Sequence, residues 1–128
     1  HAHHDTDVDQ PGRDSHRHRI AGARQVMLAS PRRWALMTEL RDAPEPPLAD
    51  LLARLDPVDL VLVEGYKSAP HPKIEAFRAV NAKPPLASRN TTIRALAADV
   101  AAPDTALPVL PLDDVAAVAD FILREVGL

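Results

Sequence analysis

In Asp59-Leu60-Val61-Leu62-Val63-Glu64-Gly65-Tyr66-Lys67, read as DLVLVEGYK, four consecutive apolar residues stand between two acids. A strand with one face in water alternates apolar and polar residues, whereas a strand buried on both faces shows an unbroken apolar run, as in a parallel sheet. The carboxyl end of such a strand is where α/β sheets receive their ligands, which puts Glu64 at a binding position. In nucleotide-binding proteins an acid at that place holds Mg²⁺, directly or through water, and offsets phosphate charge. Gly65 lets backbone approach a phosphate with no side chain in the way. A strand that ends in a solvated Glu and a turn glycine accounts for the same nine residues, and both readings stand at this point.

Working outward, elements of both kinds flank this run. Arg13–Ala23 predicts a short helix with Ile20 and Ala23 inward, and residues 25–30 (QVMLAS) a short strand closed by Pro31. Trp34–Leu40 predicts a second strand, and Pro44, Pro46 and Pro47 a stiff linker. Leu48, Leu51, Leu52 and Leu55 recur at helical spacing and predict an amphipathic helix. After the central run, Lys73–Val80, Ile93–Ala98 and Val109–Leu110 predict further strands. Asp113 or Asp114 is placed to cap a last helix with Val115, Val118, Ala119, Ile122 and Val126 as its buried stripe. Strands alternating with helices predict an α/β layer fold.

Bulk composition narrows the classes. A chain of 128 residues predicts one domain over 1–128. Hydrophobic residues make up 46% but aromatics only 3%, so the core must come from Ala, Leu and Val. A net charge of −3 argues against a nucleic-acid partner. The absence of cysteine removes disulfides and thiolate chemistry. No apolar run approaches the ~18 residues of a membrane helix, and a cytoplasmic location without membrane attachment is expected.

The first residues are unusual in another way. HAHHDTDVD packs three His and three Asp into nine residues, more than solubility asks of a loop. Imidazole with carboxylate suits a transition metal, and His1, His3 and Asp5 fit part of a His-x-His-x-Asp-His hydrolase spacing. Thr6 stands where the next His belongs, and His71 is the one histidine beyond residue 18. A switch-like loop whose acids meet Mg²⁺ or phosphate-bound water is a second reading. A polar loop with no ligand is a third. Arg13, Arg17 and Arg19 form a basic group that could steer a phosphate.

Taken together, HAHHDTDVDQPGRDSHRHRIAGA at 1–23, Arg33-Trp34-Ala35-Leu36-Met37, Leu62-Val63-Glu64-Gly65-Tyr66-Lys67 and Ala97-Ala98-Asp99 resemble, in one register, the molybdopterin-guanine dinucleotide biosynthesis protein B family. The resemblance implies a P-loop NTPase-like layered sheet with flanking helices. It implies a GTP- and Mg²⁺-binding adapter, at most a slow GTPase with no catalytic residue to name. Such an adapter assists the guanylyltransferase (protein A) that attaches GMP to molybdopterin, and it forms a homodimer. On this basis Asp5 and Glu64 are the expected metal contacts, and Asp9, Gly65 and Lys67 the expected nucleotide contacts. The homodimer surface is expected in Gln25–Leu40, with Trp34, Leu36 and Met37, and Glu75 is expected to be an acid of no special role.

The family opens with a strand, a Gly-x-x-x-x-Gly-Lys-Thr loop and a helix. The glycines here are Gly12, Gly22, Gly65 and Gly127, with no Gly-Lys pair. The amides and lysine that cradle phosphates are therefore not in these residues. The start at His1 gives the expectation that the gene encodes roughly 40 further residues before it, one strand-loop-helix unit. An interaction module without nucleotide binding and a His/Asp metal-dependent hydrolase are the alternatives.

Overall fold

The computed structural model describes residues 7–100 and 105–128. Where one domain is expected, the chain divides into two compact units, 1–67 and 68–128, and each is taken by itself.

The first unit is built on a helix and a hairpin. Helix α1 spans Asp14–Ile20, and an antiparallel pair joins β1 (Gln25–Ala29) to β2 (Trp34–Thr38) with Met27 opposite Leu36 and Ala29 opposite Trp34. Ser30 closes the turn: its hydroxyl donates to the Arg33 carbonyl at 2.8 Å and accepts the Arg33 N–H at 3.2 Å. Gly22, at φ +105°, turns the chain out of α1, a conformation that suits glycine. Its carbonyl accepts from the Arg41 guanidinium, which fastens the end of the helix to the end of the hairpin. Ile20, expected inward, is 74% exposed, and the residue α1 buries is Ser15. The reason is that α1 meets the rest of its unit through a polar cluster rather than an apolar stripe.

Two expectations fail in the second half of this unit. Helix α2 runs only over Leu48–Leu52, leaving Leu55 outside it and 54% exposed. The run Asp59–Gly65 is not a strand: it belongs to neither sheet, and Val61 and Leu62 are 41% and 73% exposed. An apolar run becomes a buried strand only where neighbours supply ladder partners on its edges, and no strand lies beside this one among the described residues.

The second unit holds the parallel sheet. Strands β3 (Lys73–Phe77), β4 (Ile93–Ala98) and β5 (Val109–Pro111) lie in the order β3-β4-β5, all parallel. The central strand carries the core: Ile93, Ala95, Leu96, Ala97 and Ala98 are all buried, and Leu96 is fully so. A strand is expected at these residues, and it is this one, not Asp59–Gly65, that is buried on both faces, with Arg94 alone exposed. Its small side chains match a chain poor in aromatics. A register shift between Lys73 and Ile74 leaves Arg94 as the extra residue on β4. Arg94 is exposed there and pairs with Glu125 at 3.3 Å on the last helix.

That helix, α3 (Val115–Val126), is capped as expected at its start, where Asp114 accepts the Ala117 N–H at 2.9 Å. Gly127 ends it in the left-handed region, and the Leu128 N–H reaches back to the Leu123 carbonyl at 2.9 Å. Its covered side differs from the expected stripe. Ala117, Val118, Phe121 and Ile122 are half-buried, whereas Val115 is 79% exposed and Ala119 and Val126 also face water. The helix packs on β5, a strand of three residues, which covers only a narrow band. Among the described residues no helix is long and apolar enough to cross a membrane.

Candidate functional site

The acidic loop before α1 is organised around one guanidinium. Arg19 Nε donates to Asp9 Oδ2 at 3.2 Å, Nη1 to Glu39 Oε1 at 2.8 Å, and Nη2 to both oxygens of Asp7 at 2.8 Å. Ser15, one helical turn before Arg19 and on the same face, donates its hydroxyl to Asp9 Oδ1 at 2.8 Å. The Asp9 side chain is 7% exposed and that of Arg19 14%. Three carboxylates on one fork are what the planar geometry of arginine permits and the point charge of lysine does not.

The loop backbone is bound into the same network. Asp7 Oδ1 accepts the Asp9 N–H at 2.9 Å, and Asp9 Oδ1 accepts the Gln10 N–H at 2.9 Å. The Asp7 carboxyl is held below its ordinary range, first by the Asp9 amide and then by Arg19. Burial pushes the Asp9 carboxyl up, but the bonds from Ser15, Gln10 and Arg19 outweigh it and leave the value lowered. Arg19 is pushed up, by Glu39 first and Asp7 next, so its charge is permanent.

This arrangement places the sequence candidates as follows. Asp9 sits inside the cluster with both oxygens engaged, so it shapes the loop rather than presenting a bare carboxylate. Arg19 is committed to the same cluster, and of the expected basic group Arg17 pairs with Asp14 at 3.9 Å and Arg13 meets Gln10 at 3.4 Å. Asp5, with His1 and His3, lies outside the described residues. Glu64, Gly65 and Lys67 are exposed on the segment that follows the apolar run.

There the chain turns through two left-handed residues in succession, Gly65 at φ +84° and Tyr66 at φ +45°. For tyrosine that conformation carries strain, which marks the turn as specified by its surroundings. The Tyr66 hydroxyl donates to Glu45 Oε1 at 3.4 Å, and burial, then the Glu45 charge, raises its pKa. Arg19, Ser15 and Glu39 are the residues that sequence reasoning missed as a set. The i, i+4 spacing of Ser15 and Arg19 behind an Asp-x-Asp loop is the signal that was there to find.

The chain of 7–39 and the 62–67 turn thus hold, in order, the motifs that mark the resemblance. Residues 1–99 match the family described as molybdopterin guanine dinucleotide synthesis protein B. The chain belongs to this family. Its match to molybdopterin guanine dinucleotide synthesis protein B ends at Asp99, one residue past β4. The molybdopterin-guanine dinucleotide biosynthesis adapter protein of Escherichia coli (strain K12) is 44% identical over 127 residues, covering 97% of this chain and 72% of that protein. The adapter protein of the same name from Haemophilus influenzae is 47% identical over 87 residues, covering 66% of this chain and 47% of that protein.

Mg²⁺ with a guanine nucleotide is the ligand expected from the sequence resemblance, and the described residues fit it only in part. No three His, Asp or Glu side chains among them stand as a metal-ligand set. The Asp7 and Asp9 oxygens already accept from four residues between them, Asp9, Gln10, Ser15 and Arg19, and no Gly-Lys pair is present to hold phosphate. What these residues supply is a hydrogen-bonded acidic loop and an exposed acid-glycine turn.

Proposed function

We propose that this chain acts in molybdenum cofactor biosynthesis as an adapter that binds GTP with Mg²⁺ and assists the guanylyltransferase attaching GMP to molybdopterin. The observation that carries the reading is the 44% identity over 97% of the chain to a protein named for the adapter role. Glu64 and Asp5 serve as the Mg²⁺ contacts, and Gly65 and Lys67 approach the phosphates. Asp9 acts through the geometry of its loop. Hydrolysis of GTP is at most slow, because among the described residues the most buried ion-paired guanidinium of the first unit, Arg19, is already neutralised by Asp7, Asp9 and Glu39 and is not available as an arginine finger.

The protein works as a homodimer through the β1–β2 hairpin. Met27 and Trp34 lie on one face of that two-stranded ribbon at 63% and 69% exposure, beside Leu36 at 44%. An isolated ribbon with apolar residues in water gains most by covering them. Titrating the full gene product with GTP, with and without Mg²⁺, tests the ligand. Heat of binding that needs Mg²⁺ is expected, and no binding in either condition refutes the nucleotide part of the reading.

A further inference from the structure

Arg19 joins three pieces of chain that are separate in sequence. Asp7 and Asp9 belong to the loop before α1, Arg19 to the last turn of α1, and Glu39 follows β2, where its N–H extends the hairpin by donating to the Arg24 carbonyl at 2.9 Å. Three negative charges and one positive charge meet at this point. Like charges so close stay together only while the guanidinium stands between them. The position of the fork is fixed from the hairpin side by Glu39 and from the loop side by Asp7 and Asp9. The Asp9 and Gln10 amides are in turn held by those two aspartates.

We infer that Arg19 is a positioning residue that couples the end of the hairpin to the acidic loop. Glu39 sets the fork, the fork sets Asp7 and Asp9, and these set the backbone at residues 9 and 10. The coupling stands on this geometry. Its use, letting the state of the hairpin govern the loop that meets the nucleotide, rests on the function proposed above. Arg41, which donates to the Gly22 carbonyl, ties helix to hairpin independently. Loss of Glu39 therefore leaves the hairpin attached and removes only the electrostatic link.

Hydrogen exchange on the full chain reads this directly, since Glu39 touches neither reporting amide. In Glu39→Gln the Asp9 and Gln10 amides should exchange several-fold faster, and in Arg19→Lys roughly tenfold faster or more, the scale for losing charge-assisted bonds. Unchanged protection in the hairpin ladder and in residues 93–98 shows that each variant is folded. Faster loop exchange in Arg19→Lys with none in Glu39→Gln overturns the coupling, as does unchanged exchange in both. Mg²⁺-dependent GTP titration of the same variants is the separate arm. Failure to bind GTP in the unmutated protein counts against the proposed function and leaves the exchange result to judge the coupling.

Discussion

The Arg19 guanidinium at the end of the first helix and the Glu39 carboxylate one residue past the second strand are 2.8 Å apart, and the same guanidinium holds Asp7 and Asp9. Loop, helix and hairpin are thus joined by charge, where the first unit offers little apolar burial. That choice has a consequence for pH. Both aspartates are lowered from the ordinary 3.8, so the folded loop binds protons less readily than the unfolded chain. Their contribution is fully present above the unfolded value and is lost as pH falls through the lower folded values. The acid titration of the Asp9 and Gln10 amide resonances should have its midpoint below 3.8. A midpoint at or above 3.8 contradicts the hydrogen-bonded cluster.

In the second unit the core is a single strand, so one deletion there should be severe. Leu96→Ala removes the fully buried side chain at the centre of β4 and should cost about 2–5 kcal/mol in urea unfolding. Asp114→Ala removes the cap of α3 and should cost about 0.5–2 kcal/mol. Equal losses for the two contradict the placement of the core on β4.

The sequence makes the kind of central strand legible but not its location. Leu60–Val63 and Ile93–Ala98 are both largely apolar segments of strand length, the second interrupted by Arg94, and both read as strands. What separates them is non-local: β4 has β3 and β5 along its two edges, while Asp59–Gly65 has no partner strand among the described residues. The two strands of the hairpin, an Asp113 or Asp114 cap and the last helix are readable because their signals are local. The α3 stripe was misplaced because the helix docks on so short a strand. At the candidate site the Asp-x-Asp loop and the Glu64–Lys67 turn were visible as motifs. The Arg19 cluster was not, because it depends on Glu39, twenty residues away, meeting a side chain that reads as solvent-facing.

Glu75 is the acid whose role changes most. Its Oε1 accepts the Leu86 N–H at 2.7 Å and its Oε2 the Ala87 N–H at 2.8 Å, anchoring the turn Leu86–Ser88 to β3. It is therefore no neutral comparison for Glu64. Glu75→Gln turns an amide NH₂ toward one of those donors and should destabilise the fold by roughly 1–3 kcal/mol, readable as a lowered urea midpoint. An unchanged midpoint contradicts the anchoring role.

For Glu64 the appropriate comparison is Asp120, exposed on α3. Glu64→Gln keeps size and removes charge. Mg²⁺-dependent GTP affinity of the full gene product should fall by roughly 1–3 kcal/mol, while Asp120→Asn should leave it unchanged. Equal affinities for Glu64→Gln and the unmutated protein make Glu64 an ordinary exposed carboxylate.

The adapter role itself is tested most directly at the partner enzyme. Purified guanylyltransferase, molybdopterin and Mg²⁺-GTP are combined with increasing amounts of the full gene product, and attachment of GMP to molybdopterin is followed. The account predicts a rate that rises and saturates, with half-saturation in roughly the micromolar range expected of a specific but reversible complex. A rate that stays flat across that range, with no complex detected by calorimetry at the same concentrations, contradicts it.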